Sequence, residues 1–192
     1  MSLFVKQFLI ITLIILSLLG IIFGAYLPFK KAQLYISSAY QMNFVKTPQQ
    51  FEEIFNKLFN YFSPIGDYEA ARFLGDKLIN PVAAPANSEA AARFLVEYLE
   101  PKMRTDDARH LLILAQLYFF LWQKSGKESD FLKSEEYYQK ALVYGPKLPP
   151  ALYGLFDLYK AKGDKEKLKQ ISETILKYWP EDEKVNETLR QQ

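Results

Sequence analysis

The hydrophobic positions of this chain follow two patterns, a continuous apolar run near the N-terminus and amphipathic helical stripes over the rest. Residues 8–27 contain no charged side chain, and fourteen of these twenty residues are Leu, Ile or Phe. Twenty helical residues extend about 30 Å, which is the thickness of the hydrocarbon core of a bilayer. The pattern therefore predicts a transmembrane anchor over residues 1–31 that contacts the lipid bilayer through residues 8–27.

A cleaved signal peptide is the alternative interpretation of this run. The run is longer than the about 7–15 apolar residues of such peptides, and Phe23 precedes Gly24-Ala25 where cleavage needs a small residue. We therefore expect an uncleaved signal anchor and a single-pass membrane protein. Lys6 and the terminal amine on one side balance Lys30 and Lys31 on the other. The flanking charges consequently leave the orientation open.

Residues 32–107 carry helical patterns separated by turn signals. A helix continues out of the membrane over 32–44, and Thr47-Pro48 is typical of a helix start, with a capping hydroxyl before Pro at the first helical position. Asn80-Pro81 is predicted to end a helix over 68–79, and Asn87 or Ser88 to cap another that runs to Glu100. The stripe formed by Phe51, Ile54, Phe55, Leu58, Phe59 and Phe62 is interpreted as helix core rather than a ligand site.

The last part of the chain carries four amphipathic stripes arranged in two pairs. Apolar residues recur at steps of three and four, and Gly163-Asp164 separates the stripes of the second pair. Each pair therefore predicts two helices joined by a turn. The first helices match at Leu111, Leu114, Ala115 and Tyr118 against Leu152, Leu155, Phe156 and Tyr159. The second helix of the first pair carries Tyr138, Ala141, Leu142 and Pro146. The second helix of the second pair carries the stripe Leu168, Ile171, Ile175 and Leu176 and ends at Pro180.

The spacing of Leu, Tyr, Gly-Asp and Pro in residues 149–182 resembles the tetratricopeptide repeat (TPR), a helix-turn-helix unit of 34 residues. The resemblance departs from the family pattern at Phe156 and Leu168, which stand where the family has small residues. It implies two TPR-like repeats over 108–182 and a short polar capping helix over 183–192. Since one repeat cannot bury its own apolar face, region 32–107 is expected to be helical and repeat-like in a degenerate way. The expected fold is all-α, one N-terminal transmembrane helix followed by an α-solenoid of helix-turn-helix repeats.

The segment 123–133 is about seven residues longer than the turn of the TPR family. Insertions in repeat proteins usually lie in loops on one face of the array. Two outcomes are open, a longer loop between the two helices or an extended first helix.

A weaker resemblance covers the order of elements over residues 8–182. An apolar helix, the stretch FEEIFNKLFNYFSPIGDYEAARFL and then repeats are similar to the C-terminal ends of some bacterial O-antigen ligase/polymerase-like membrane proteins. This chain lacks the many further membrane helices of those ligases, so their transferase activity is not carried over. The resemblance implies at most an accessory subunit or detached C-terminal part, and it favours an extracytoplasmic soluble part over a cytoplasmic one.

Composition narrows the chemistry that the chain can perform. A net charge of +2 over 192 residues is not typical of a nucleic-acid binder. The absence of Cys excludes disulfides, thiolate metal sites and cysteine nucleophiles, and His110, the single His, cannot build a multi-His metal site. The pairs Glu52-Glu53, Asp106-Asp107 and Glu135-Glu136 are interpreted as solvated faces or helix-start charges. We expect no catalytic residue, cofactor or metal, and therefore no enzyme.

The function predicted from these patterns is a membrane-anchored scaffold for protein–protein interaction. In the TPR family the first helices of the repeats line a concave groove, so side chains one step off the core stripe are expected to face a protein or peptide partner. Those residues are Arg109, Leu112, Gln116, Phe119, Tyr153, Asp157 and Lys160. The alternative is that these side chains pack against the middle section and close the groove.

Overall fold

The structure is a computed structural model that describes residues 3–190 of the chain. These residues form ten α-helices joined by short turns, and no strand occurs among them. The chain divides between Ala70 and Ala71 into two compact units. The prediction of a helical chain with one long apolar N-terminal helix is confirmed.

The first unit begins with a helix that continues well beyond the predicted anchor. It consists of α1 (Leu3–Ile21), a π turn (Ile22–Tyr26), α2 (Leu27–Gln41) and a 3-10 turn (Met42–Phe44). The π turn lies directly before Pro28, which has no N–H to donate. In this turn the Leu27 N–H donates to the carbonyl of Ile22, five residues back, as is typical of a π helix. By length and composition, Leu3–Phe44 is able to cross a membrane, and its apolar part is not buried within the protein.

Helix α3 (Pro48–Asn60) returns along α2 in the opposite direction. Its predicted start is confirmed, because the Thr47 hydroxyl accepts a hydrogen bond of 3.2 Å from the Gln50 N–H. Phe51, Phe55 and Leu58 are buried, as the aromatic stripe predicted. The other members of that stripe are not fully in the core, since Ile54 and Phe59 are half-buried and Phe62 is exposed.

Helix α4 (Asp67–Ala83) leads into the second unit and corrects one predicted boundary. The helix does not end at Asn80-Pro81 but includes Pro81 in its last turn. Val82 is fully buried, and the Ala84 N–H donates to the Asn80 carbonyl at 2.9 Å. Burial of Val82 thus keeps the last turn helical although Pro81 contributes no N–H.

Helix α5 (Glu89–Leu99) starts at the predicted cap Ser88 and is followed by two helical hairpins and a final helix. The later helices are α6 (Ala108–Ser125), α7 (Glu128–Tyr144), α8 (Pro149–Lys162), α9 (Lys165–Tyr178) and α10 (Glu183–Arg190). Helix α6 pairs with α7, α8 packs on α7 and α9, and α10 packs on α9. Residues 191 and 192, at the end of the predicted capping helix, lie outside the described residues.

The extra residues between α6 and α7 lengthen the helices rather than the loop. Helices α6 and α7 contain 18 and 17 residues, whereas α8 and α9 contain 14 each. Only Gly126 and Lys127 separate α6 from α7, so the longer-loop alternative is wrong. Gly126 ends α6 at φ 65° and Gly163 ends α8 at φ 75°, a left-handed conformation that glycine adopts at low cost.

A polar contact of the same kind recurs in both hairpins. In the first, the Tyr118 hydroxyl donates to Glu100 at 2.7 Å and Lys133 reaches the same carboxylate at 2.8 Å. In the second, Tyr159 donates to Glu135 at 2.7 Å and Lys167 lies 2.6 Å from it. The tyrosines and lysines occupy matching positions of the hairpins, while each carboxylate comes from the segment before the hairpin. These contacts tie each hairpin to the preceding part of the chain.

We expect Glu135→Gln to lower the free energy of unfolding by about 1–3 kcal/mol, because a nearly buried carboxylate loses its charge-assisted hydrogen bonds. Glu136→Gln is the matched control, since that side chain is exposed and pairs with Lys140 on the same helix. Chemical denaturation of the full chain in detergent micelles measures both. Equal losses for the two variants would contradict the structural role of Glu135.

Candidate partner-binding cleft

A cleft of about 320 Å³ opens between α6 and α8, with one wall completed by α7. Its lining side chains are Leu112, Gln116, Phe119, Phe120, Tyr138, Pro150, Tyr153, Gly154 and Asp157. Five of the seven groove residues predicted from the sequence are among them. Leu112, Gln116 and Phe119 follow at steps of four and three on α6, so they share one helix face. The cleft is mainly aromatic and apolar, with a small number of polar groups.

Gly154 lets an aromatic ring pack directly against the wall of the cleft. A Cβ at this residue would overlap the ring of Tyr138, which packs directly on the backbone of α8. Glycine in the middle of a helix costs roughly 1 kcal/mol relative to Ala. Its presence here is therefore explained by the close approach of an aromatic side chain.

Tyr138 lines the cleft with only 6% of its surface exposed. Burial, with a further contribution from the negative charge of Asp157, raises the pKa of Tyr138 above its ordinary value. The phenol therefore stays protonated at neutral pH and can donate a hydrogen bond. An acceptor group that enters the cleft can receive this hydrogen bond, because Tyr138 is one of the lining side chains.

The C-terminal helix contacts the side of α8 that was expected to face a partner. The Tyr153 hydroxyl donates to Asp182, Lys184 pairs with Asp157 at 2.7 Å, and Lys160 donates to Thr188 at 3.2 Å. The hydrogen bond to Asp182 raises the pKa of Tyr153 to about 12. These three groove residues therefore hold α10 in place, a role that the sequence did not indicate.

The two remaining groove residues do not line the cleft. Arg109 is exposed and pairs with Asp107 at 3.3 Å, and Lys160 is exposed at the end of α8.

Beyond Tyr153, a second cleft of about 650 Å³ is lined by aromatic side chains, two prolines and two carboxylates. Its lining residues are Pro149, Tyr153, Tyr178, Trp179, Pro180, Glu181 and Asp182. Tyr153 thus borders both clefts.

The other candidate chemical groups have structural partners. His110 is buried, its Nδ1 accepts a hydrogen bond of 3.2 Å from the Arg104 N–H, and burial lowers its pKa. Glu135, which was interpreted as part of a solvated or helix-start pair, is instead nearly buried beside Tyr159 and Lys167. Within the described part of the chain, no group of three or more His, Cys, Asp or Glu side chains could hold a metal ion.

Comparison of the chain with protein-family models, curated proteins and solved structures finds no significant match.

Proposed function

We propose that this chain is a single-pass membrane protein that holds a protein partner in the cleft between α6 and α8. The observation that carries the proposal is the cleft itself, which combines apolar side chains with the phenol of Tyr138 as a hydrogen-bond donor. Such a surface suits a peptide segment with an apolar anchor and one hydrogen-bond acceptor. The helix Leu3–Phe44 supplies the attachment to the bilayer.

The internal repetition supports a TPR-like interpretation of the helical hairpins. Leu111 and Leu114 in α6 and Leu152 and Leu155 in α8 are buried at matching positions. The contacts of Tyr118 and Lys133, and of Tyr159 and Lys167, repeat the same chemistry in each hairpin. In this interpretation α6 and α8 are the first helices of successive repeats, which is why both border the cleft.

The bound segment would continue past Tyr153 into the second cleft. The two clefts share this residue, and the second adds Trp179 and Tyr178, whose rings lie 5.8 Å apart. An extended peptide with apolar side chains several residues apart fits this arrangement. By the O-antigen ligase resemblance we place the soluble part on the extracytoplasmic side. That resemblance also supplies the alternative function, an accessory part of a glycan-ligating membrane enzyme.

Leu112→Glu is expected to reduce partner capture at least tenfold, because it places a carboxylate among the apolar groups of the cleft and beside Asp157. Leu112 is half-buried, so the substitution leaves the core intact. The measurement is quantitative co-purification from detergent-solubilised membranes.

Leu132→Glu is the matched control, since Leu132 is exposed on α7 and does not line the cleft. Both variants should keep the helicity of the wild-type chain. Capture that is unchanged by Leu112→Glu, or reduced equally by both variants, would contradict the assignment of the cleft. Recovery of a many-helix transferase as the captured protein would favour the accessory-subunit alternative.

A further inference from the structure

The turn between α3 and α4 exposes two large apolar side chains in the first unit. Phe62 is 67% exposed and Ile65 is 63% exposed, on either side of Ser63-Pro64. Residues 62–65 are called the apolar tip below. Large apolar side chains grouped at the end of a turn are typical of a surface that contacts another apolar phase.

Three contacts show that α3 and the residues after it run antiparallel to the long N-terminal helix, toward its uncharged part. The Ser38 hydroxyl donates to the Ile54 carbonyl at 3.4 Å, and the Lys31 ammonium donates to the Tyr61 carbonyl at 2.9 Å. The ring of Phe62 then lies edge-on to Phe23, with centroids 6.4 Å apart. The partner positions on the long helix fall from 38 to 31 to 23, so α3 carries the tip back toward the uncharged run.

The depth of the tip follows from helix geometry. Phe23 lies four residues inside Leu27, where the uncharged run ends, which is about 6 Å at a rise of 1.5 Å per residue. Interfacial segments bury their apolar side chains about 5–10 Å into the boundary between headgroups and acyl chains. A residue that packs on Phe23 is therefore at the level of the membrane boundary when the run spans the bilayer.

Lys31 fixes the turn to the helix. Its side chain is buried, and besides the Tyr61 carbonyl its ammonium contacts the carboxylate of Asp67 at the start of α4. Gly66, at φ 105°, lies against the stem of the same lysine. The charge of Lys31, which bonds the residue before the tip, is thus paired within the protein, and residues 62–65 themselves carry no charged side chain.

We infer that the apolar tip inserts into the bilayer beside the anchor, so that the first unit contacts lipid at a second place. The inference rests on the proposed membrane anchor and adds a lipid-binding surface on the soluble side. Phe and large aliphatic side chains are among those that interfacial segments bury at the membrane boundary. Two lipid contacts, one through the anchor and one through the tip, would restrict how the first unit tilts on the membrane.

The absence of Cys allows single-cysteine labelling of the full chain. The variants Ile65→Cys, Ile14→Cys and Val143→Cys each replace an exposed residue, and each receives an environment-sensitive fluorophore. The labelled chains are reconstituted into vesicles of three parts phosphatidylcholine and one part phosphatidylglycerol. Quenching is measured with a nitroxide carried near the top of the acyl chain and with aqueous iodide.

We expect the label at position 65 to be quenched by the nitroxide lipid at least threefold more than the label at 143, and to be protected from iodide. The label at 14 reports the anchor independently. Quenching at 14 with iodide access at 65 would overturn the insertion of the tip while leaving the anchor intact, and would point to a protein as the partner of the tip. Iodide access at both positions would overturn the anchor and the tip together.

Discussion

Replacing Arg93 with Met is expected to lower the free energy of unfolding by about 3–5 kcal/mol, the cost of leaving a buried charge without its partner. Arg93 on α5 donates to both carboxylate oxygens of Asp130 on α7, at 3.2 and 2.7 Å. The Asp130 side chain is only 3% exposed, and its remaining hydrogen bond comes from the Ser125 hydroxyl at 2.6 Å. Without the guanidinium, this carboxylate would be buried with one neutral donor.

The pH dependence of the variant should identify the cause. Burial alone raises the pKa of a carboxyl group, but the hydrogen bonds from Arg93 and Ser125 outweigh burial and lower the pKa of Asp130. In the wild type, Asp130 therefore stabilises the fold above its unfolded pKa, near 3.8, and loses this effect as the pH falls. In Arg93→Met burial prevails and the pKa rises, so the loss of stability should shrink as the pH falls.

The matched control is the double variant Arg93→Met with Asp130→Asn, which removes the buried charge and should recover part of the loss. Denaturation of the full chain in micelles, followed by tryptophan fluorescence, measures all three proteins. One of the two tryptophans, Trp122, reports on this region, since its ring lies 5.3 Å from that of Phe131 next to Asp130. A double variant less stable than Arg93→Met would contradict the explanation by an unpaired charge.

Leu155→Ala is expected to cost about 2–5 kcal/mol, because the deleted atoms leave a cavity in the core. Leu155 is buried in α8 on the side opposite the cleft-lining residues Tyr153 and Asp157. Val143→Ala is the control, since Val143 is 79% exposed and should change stability by less than about 0.5 kcal/mol.

The same denaturation experiment applies to this pair. An unchanged midpoint for Leu155→Ala would mean that the apolar stripe of α8 does not face the core.

The helices and their boundaries were predictable where local chemistry decides them. Thr47 caps α3 and Gly163 ends α8 because a hydroxyl satisfies a free N–H and glycine reaches the left-handed conformation. The predictions failed where tertiary burial outweighs local preference. Pro81 stays in a helix because Val82 is buried. For segment 123–133 the sequence left a longer loop and an extended first helix open, and the burial of Asp130 and Phe131 favours helix on either side of Gly126 and Lys127.

The residues that α6 contributes to the candidate site were predictable from the sequence. The part played by Tyr138 and the contacts of α8 with the C-terminal helix were not. The spacing on α6 indicated Leu112, Gln116 and Phe119, and these line the cleft. Tyr138 was assigned only to the core stripe of α7, and the signal for its role was the mid-helix Gly154, which makes room for a ring. The contacts of Tyr153 and Asp157 with α10 join residues 27 to 29 positions apart, which no local pattern specifies.

Site-specific photo-crosslinking tests the central claim most directly. A benzophenone amino acid at Gln116, a half-buried cleft position, is compared with the same residue at the exposed Val143. After irradiation of cells that make the full chain, membranes are washed with carbonate and crosslinked products are identified by mass spectrometry. A membrane-anchored scaffold predicts a discrete protein product in the washed membranes from position 116 and none from position 143. The same products from both positions, or recovery of the chain in the carbonate supernatant, would contradict it.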